Sequence, residues 1–132
     1  MFLLDTNVCI HYLSGRSPVI LRAFRQRRPE TIFVCSVVKA EMYYGAMKSR
    51  DPSMALRQQD VFLQQFVSLP FDDQAARHFG EIRANLVRKG TPIGPYDLQI
   101  AAIALVHGLT LVTHNTREFS RVPNLTLEDW EI

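Results

Sequence analysis

Residues 2–7, FLLDTN, put a carboxylate directly behind the first apolar run of the chain. The apolar residues 2–4 predict a short buried strand, and Asp5 follows them without a spacer. Burial penalises a charged side chain, so an acid at this place needs a reason. Two reasons are open, because Asp5 can cap the following helix or bind a metal ion. If Asp5 binds a metal ion, we expect Thr6 to cap the helix instead.

Composition limits the class of protein. With 132 residues the chain is long enough for one core, and we predict a single domain over residues 1–132. A hydrophobic content of 47% with 21% charged residues is typical of a globular protein and argues against disorder. We find no membrane-spanning run and no secretory signal. Cys9 and Cys35 lack CxxC spacing, which predicts a reduced, cytoplasmic protein and makes a zinc site improbable.

Strand-like and helix-like segments alternate along the chain. Strands are predicted over 2–4, 31–35 and 109–113, with a last short one within 124–130. Helices are predicted over 6–15, 18–28, 37–49, 53–69, 72–90 and 96–108. Ser36 is expected to cap the third helix, and residues 115–119 are expected to form a turn. The alternation predicts an α/β fold, a three-layer helix–sheet–helix sandwich with a mainly parallel central sheet.

In such sheets the chemistry lies beyond the carboxyl ends of the strands. Glu41 draws attention because its helical neighbours three and four positions away are apolar or small, and none is a cation. Asp97 falls at the third position of a helix that begins with Pro95 and is otherwise apolar. An acid in a first turn also suits the helix dipole, so a purely structural role for Asp97 stays open.

The segment HNTREF after the 109–113 strand offers Asn115 and Glu118. Asn115 is a neutral oxygen donor or a turn residue, and Glu118 is a further acid or a partner of a neighbouring arginine. If carboxylates from three elements converge at about 5 Å, their repulsion costs roughly 10 kcal/mol at an effective dielectric of about 20. A divalent cation offsets that cost, and an all-oxygen ligand set selects Mg²⁺ or Mn²⁺.

Four segments together resemble a known family. LLDTN, AEMYYGA around Glu41, PIGPYDLQIAA around Asp97 and LVTHNTREF resemble the signature segments of PIN-domain ribonucleases, and more narrowly of VapC toxins. The resemblance runs almost from end to end, in the family's order and spacing. It implies a PIN-like fold and a Mg²⁺-dependent endoribonuclease, with Mn²⁺ as a substitute. The implied reaction hydrolyses an RNA phosphodiester, with a tRNA anticodon loop as the implied target.

The resemblance also implies site residues and partners. Asp5 and Asp97 match the family's metal-binding aspartates, and Glu41 matches the acid that completes the catalytic set. Asn115 stands where many members have a fourth acid, which favours one metal ion over two, and Glu118 is expected to supply the missing charge. The supporting polar positions are Thr6, Asn7, Thr113 and Asn115. The family implies a homodimer and a VapB-type antitoxin that inserts a peptide arm into the acidic site.

Basic residues cluster early in the chain, where no acid occurs between Thr6 and Pro29. This run is either an RNA-binding face or the solvated side of a helix. The candidate RNA contacts are Arg22, Arg25, Arg28, Lys39 and Arg117. The four histidines lie on different predicted elements without metal-site or triad spacing, so we expect surface or core roles, with His114 flanking the active edge.

Two other function classes remain open at this point. A phosphatase that uses Asp5 as an aspartyl nucleophile fits an acid after the first strand, but such chemistry usually has a second Asp where this chain has Asn7. The other class is a binding domain that has lost catalysis through Asn115.

Overall fold

The computed structural model describes all residues 1–132. Five strands form one sheet, namely β1 Phe2–Leu4, β2 Ile32–Cys35, β3 Val67–Leu69, β4 Thr110–Val112 and β5 Leu127–Glu128. Seven helices surround it, namely α1 Thr6–Ser14, α2 Pro18–Arg25, α3 Ser36–Met47, α4 Pro52–Leu63, α5 Asp73–Arg88, α6 Pro95–His107 and α7 Thr116–Phe119. A single 3₁₀ turn, Pro29–Thr31, precedes β2. No helix is both long enough and apolar enough to cross a membrane.

All strand pairs are parallel, in the order β3-β2-β1-β4-β5. The chain steps in one direction from β1 to β3 and then crosses to the other side of β1 for β4 and β5. Because parallel crossovers are right-handed, this reversal puts the helices before and after it on opposite faces. Packing agrees, since α1 contacts α2, α3 and α4, while α5 packs mainly on α6. The predicted three-layer sandwich is therefore confirmed.

The core is one cluster of 28 buried residues that extends from Leu3 to Trp130. Helix α6 lies deep in it, with residues 100–104 fully buried, as its continuous apolar sequence predicts. Cys9 and Cys35 are buried and free. Burial raises the pKa of the Cys35 thiol to about 11 and raises that of Cys9 as well, so both remain protonated small hydrophobic groups.

The helix predicted over 53–69 is wrong at its carboxyl end. It stops at Leu63, and Val67–Leu69 forms the edge strand β3 against β2. The apolar spacing in this segment fits a helix, but Pro70 disfavours helical geometry in the preceding residue. Pairing with the free edge of β2 then decides the structure of these residues, which local spacing does not reveal.

Three smaller expectations are also corrected. Cys35, and not Ser36, is the N-cap of α3, because β2 extends to Cys35 through its pairing with Leu69. Thr6 does not cap α1, since Asp5 is its N-cap. The turn expected at 115–119 contains the short helix α7, which is anchored by the fully buried ring of Phe119.

Candidate metal centre and active site

The sheet reverses its strand order between β1 and β4, and ligands of open α/β sheets bind outside the carboxyl ends of the strands at such a point. Asp5 follows β1 and Thr113 follows β4, so both lie at this switch point. The backbone N–H of Asp5 donates to the carbonyl of Val112 at 3.0 Å, which continues the pairing of the two strands up to the site.

The carboxylate of Asp5 is 6% exposed and both of its oxygens are engaged. Oδ1 accepts the backbone N–H of Thr6 at 2.8 Å, and Oδ2 accepts the hydroxyl of Thr113 at 2.8 Å. Asp5 therefore does not have to be either a helix cap or part of the site. The same carboxylate caps α1 and lies at the switch point. Because both oxygens of Asp5 already accept hydrogen bonds, Asp5 is not placed to act as an aspartyl nucleophile.

Thr6 connects the Asp5 end of α1 to the neighbouring helix α3. The hydroxyl of the buried Thr6 donates to Oε1 of Glu41 on α3 at 2.7 Å. Glu41 is half-buried, in keeping with its apolar helical neighbours. The side chains of Thr113, Asp5 and Glu41 are therefore connected into one polar chain through the backbone N–H and the hydroxyl of Thr6. This chain links β4, β1, α1 and α3.

Asp97 completes a set of three acids, at the third position of α6 after Pro95. Its pKa is raised to about 6, first by burial and then by the charges of Asp5, Glu41 and Glu118. The pKa of Asp5 is raised as well, by burial and by Glu41, although the hydrogen bonds from Thr113 and Thr6 oppose the rise. The amino end of α6 favours an anion, yet burial and like charges outweigh it at Asp97.

Glu118 and Asn115 lie on the β4–α7 side of this edge. The backbone N–H of Asn115 donates to the Thr113 hydroxyl at 3.0 Å, and its side-chain Nδ2 donates to Oε2 of Glu118 at 3.2 Å. Asn115 thus positions Glu118, whose negative charge contributes to the raised pKa of Asp97. Asn7 is exposed on the first turn of α1 and makes no side-chain hydrogen bond.

The predicted basic residues divide into two groups. Lys39 on α3 and Arg117 on α7 are close in sequence to Glu41 and Glu118. Arg28 stands just before β2 begins, at the opposite edge of the sheet, and faces Glu30 at 3.8 Å. Arg22 and Arg25 line two separate clefts around α2, and neither cleft contains Asp5, Glu41, Asp97 or Glu118.

The donors at the switch point fit a hard divalent cation. All of them are oxygens, and neither Asp5 nor Asp97 forms an ion pair with a lysine, arginine or histidine. The acids of this edge do not bring one oxygen each within 4.8 Å of one another, unlike the residues of a compact cage. Mg²⁺ keeps several of its waters in proteins, so a wider carboxylate set suits it.

One feature of this edge escapes prediction from sequence. A cleft of about 610 Å³ opens beside Glu41 and is bordered by the aromatic rings of Tyr44 and Tyr96, which are 65% and 60% exposed. Tyr96 belongs to a loop-to-helix boundary, and only the packing of α6 near α3 brings it opposite Tyr44.

The fold and the acidic edge define a PIN domain, and the PIN-domain family matches residues 2–125. The tRNA(fMet)-specific endonuclease VapC of Salmonella typhimurium is 43% identical over 129 residues, covering 98% of this chain and 97% of that protein. Ribonuclease VapC2 of Rickettsia felis is 35% identical over 132 residues, covering 99% of this chain and 98% of that protein.

A solved structure agrees with these relatives. The DNA-bound VapBC complex from Salmonella typhimurium superposes with a TM-score of 0.90 at 43% identity, covering 98% of this chain and 97% of the matched chain. The chain therefore belongs to the VapC ribonucleases of the PIN-domain family. Nucleases of this family use divalent metal ions.

Proposed function

We propose that this chain is a metal-dependent endoribonuclease, the toxin of a toxin–antitoxin pair, and that it cleaves tRNA. The observation that carries the proposal is the polar chain from Thr113 through Asp5 and Thr6 to Glu41, which lies beside Asp97 at the switch point. The relative from Salmonella typhimurium is named for its action on tRNA(fMet), which supports tRNA as the substrate class. We propose the anticodon loop, where bases are already splayed from the stack.

Asp5 and Asp97 are the proposed direct ligands of Mg²⁺, with Mn²⁺ as a substitute, and Glu41 completes the acidic set. The cation would neutralise charge on the scissile phosphate and act as a Lewis acid toward it. Thr113 and Thr6 hold the carboxylates of Asp5 and Glu41 in fixed orientations through their hydroxyls. Hydrogen bonds to a metal-binding carboxylate fix the direction in which its oxygens point. Thr6 and Thr113 are therefore positioning residues.

Glu118 supplies the fourth negative charge at the edge, where Asn115 carries none. Asn115 holds Oε2 of Glu118, and Oε1 has no hydrogen-bond partner, so this oxygen is free to accept a proton from the attacking water. The water attacks phosphorus in line with the 3′ oxygen, the P–O3′ bond breaks, and O3′ takes a proton from solvent. The products are a 3′-hydroxyl and a 5′-phosphate.

RNA binding is proposed to use both charge and stacking. Lys39 and Arg117 are the basic residues nearest in sequence to the acids and would contact adjacent phosphates. The exposed rings of Tyr44 and Tyr96 border the cleft beside Glu41, and a splayed base stacks well on such a surface. Arg22, Arg25 and Arg28 lie away from this cleft and would contact only more distant phosphates.

The proposed partners are a VapB-type antitoxin and a second copy of this chain. Solved structures similar to this chain are those of VapBC complexes, some of them bound to DNA. Tyr44 and Met47 leave apolar surface exposed on α3, at 65% and 61%, which suits an interface. A basic residue on an inserted antitoxin arm would neutralise the acids at the switch point.

We also propose that residues 1–132 form one domain and that the protein works in the cytoplasm. The single cluster of 28 buried residues supports one domain. Cytoplasmic action is supported by the two buried, unpaired cysteines and by the location of tRNA.

Cleavage of tRNA with and without Mg²⁺ tests the proposal. Wild type is expected to cut within the anticodon loop and to leave 5′-phosphate ends, while Asp5→Asn and Asp97→Asn lose at least a hundredfold in rate. Each Asn variant keeps the size of the side chain and removes only its charge, so circular dichroism can verify that the fold is retained.

Equal rates for wild type and both variants would reject the nuclease assignment. If folded wild type binds tRNA without cutting it, the protein is instead a binding domain that has lost catalysis through Asn115. Restored cutting by Asn115→Asp would then identify the missing charge as the cause. A covalent phosphoryl group trapped on Asp5 would instead point to a phosphatase.

A further inference from the structure

A second group of metal-binding side chains lies outside the acids at the switch point. His114 follows β4, and Asp129 and Glu131 follow β5 at the end of the chain. One ligand atom from each of the three lies within 4.8 Å of the other two. Nδ1 of His114 is 2.9 Å from Oδ2 of Asp129 and 4.0 Å from Oε2 of Glu131.

A second histidine completes this group. Nδ1 of His11, on α1, lies 2.9 Å from Oε1 of Glu131. Nδ1 of each histidine therefore faces Glu131, although His11 and Glu131 are 120 positions apart, and only His114 also faces Asp129. We call His11, His114, Asp129 and Glu131 the C-terminal cluster.

One oxygen of the C-terminal cluster has no hydrogen-bond partner. Oε2 of Glu131 is buried and accepts no hydrogen bond, with Nδ1 of His114 4.0 Å away, while Oε1 faces His11. The side chains of Asp129 and Glu131 are only 12% and 16% exposed, whereas that of His114 is 62% exposed. A buried carboxylate oxygen that accepts no hydrogen bond destabilises the folded protein, so the cluster favours an additional positive ligand. Access from solvent is open on the histidine side.

We propose that the C-terminal cluster is a second metal site, selective for a borderline transition-metal ion such as Zn²⁺. Imidazole nitrogen with carboxylate oxygen is a donor set that suits Zn²⁺, Ni²⁺ or Cu²⁺ and that Mg²⁺ does not favour. Ligand atoms bonded at about 2.1 Å to a tetrahedral Zn²⁺ lie about 3.4 Å apart. The distances of 2.9 and 4.0 Å from His114 lie on either side of that value, so small side-chain rotations would bring the three ligand atoms to it.

The C-terminal cluster has no residue in common with the acids at the switch point. The two groups nevertheless share a connection, because His114 directly follows Thr113, whose backbone N–H donates to the carbonyl of Glu128 at 2.9 Å. A bound ion would tie the C-terminal segment and α1 to the loop that carries Thr113 and Asn115.

Zinc binding by the tag-free, chelator-treated protein tests the site, measured by equilibrium dialysis with metal analysis in the presence of excess Mg²⁺. We expect one Zn²⁺ per chain, and at least a tenfold weaker affinity in His114→Gln and in Asp129→Asn. Asp97→Asn, which alters the switch point, and His78→Gln, which removes an exposed histidine on α5, are expected to bind as wild type does. Co²⁺ in place of Zn²⁺ should give a visible d–d spectrum that His114→Gln abolishes.

The proposal is overturned if wild type binds no Zn²⁺, or if Asp97→Asn abolishes binding while His114→Gln retains it. It is equally overturned if all histidine variants bind alike, since that result indicates scattered surface binding. Thermal unfolding of each metal-free variant verifies that lost binding does not reflect lost structure. The inference does not rest on ribonuclease activity, so a failure of either proposal leaves the other standing.

Discussion

Threonine hydroxyls set the arrangement of the acidic edge at the scale of single residues. Thr113 is fully buried, donates to Oδ2 of Asp5 and accepts the backbone N–H of Asn115. One hydroxyl therefore positions a proposed ligand and the loop that carries Glu118. Thr6 has the corresponding role between Asp5 and Glu41, through its backbone N–H and its hydroxyl.

Replacing Thr113 with valine keeps the shape of the side chain and removes the hydroxyl. Oδ2 of Asp5 then loses its hydrogen bond inside the protein, which we expect to lower the Mg²⁺-dependent cleavage rate by about 10–100-fold. Single-turnover cleavage of tRNA measures the effect. Thr113→Ser, which keeps the hydroxyl, is the matched control and should stay within a few-fold of wild type. A fully active Thr113→Val would show that this hydroxyl does not position Asp5.

The C-terminal segment shows how separate elements are held together. Trp130 is 4% exposed and packs edge-on against Phe2 and Phe24, at centroid distances of 5.4 and 5.1 Å. Its indole N–H donates to Oε1 of Glu128 at 3.1 Å, and the guanidinium of Arg27 lies 4.3 Å from its ring centroid. Arg27, part of the basic run read from the sequence, is thus engaged in packing and in an ion pair with Glu128.

Trp130→Ala is expected to destabilise the protein by about 3–5 kcal/mol, because it leaves a cavity among Phe2, Phe24 and Arg27. Urea unfolding followed by circular dichroism measures this loss. Trp130→Phe keeps most of the aromatic contact and should cost clearly less. Similar losses for the two variants would indicate that the indole N–H bond to Glu128, and not ring packing, holds the segment.

Burial of Asp97, together with its repulsion from Asp5, Glu41 and Glu118, affects the stability of the whole molecule. In the metal-free protein the pKa of Asp97 is raised to about 6, above its ordinary value of 3.8. The folded state therefore binds the proton more tightly than the unfolded state does. The stability that this group contributes is fully present below about pH 4 and is lost as the pH rises through about 6.

Asp97→Asn should consequently stabilise the metal-free protein at pH 7.5 by about 1–2 kcal/mol, after allowance for solvent screening of a half-buried group. The gain should shrink towards pH 4.5, where wild-type Asp97 is largely protonated. Urea unfolding in EDTA at the two pH values measures this difference. A gain that does not change with pH would contradict the assigned repulsion.

Addition of Mg²⁺ supplies the control for this experiment. Bound ligand stabilises the folded state, so wild type at pH 7.5 should gain stability with Mg²⁺ while Asp97→Asn gains little. Equal stabilisation of the two proteins would place the Mg²⁺ away from Asp97.

Local sequence patterns predicted most of the helices and strands correctly, but they failed where the structure depends on a neighbouring strand. The apolar run of α6 and Pro95 at its start defined that helix, since both signals lie within its own sequence. Strand β3 was predicted as helix, because three residues of an edge strand have no signal apart from the strand beside them. Ser36 failed as a cap for the same reason, since strand pairing determined where α3 begins.

The sequence by itself determined the parallel sandwich, the family resemblance, and the placing of Asp5 after β1, of Glu41 on the apolar side of α3 and of Asp97 in the first turn of α6. These features follow from apolar periodicity and from the rule that parallel strands end at one edge. Only the tertiary structure decided that Asp5 both caps α1 and joins the acids. It also decided that Tyr96 faces the cleft beside Glu41 and that His11 meets Glu131. Such pairs are distant in the chain and interact only when strand order brings their elements together, so no local pattern encodes them.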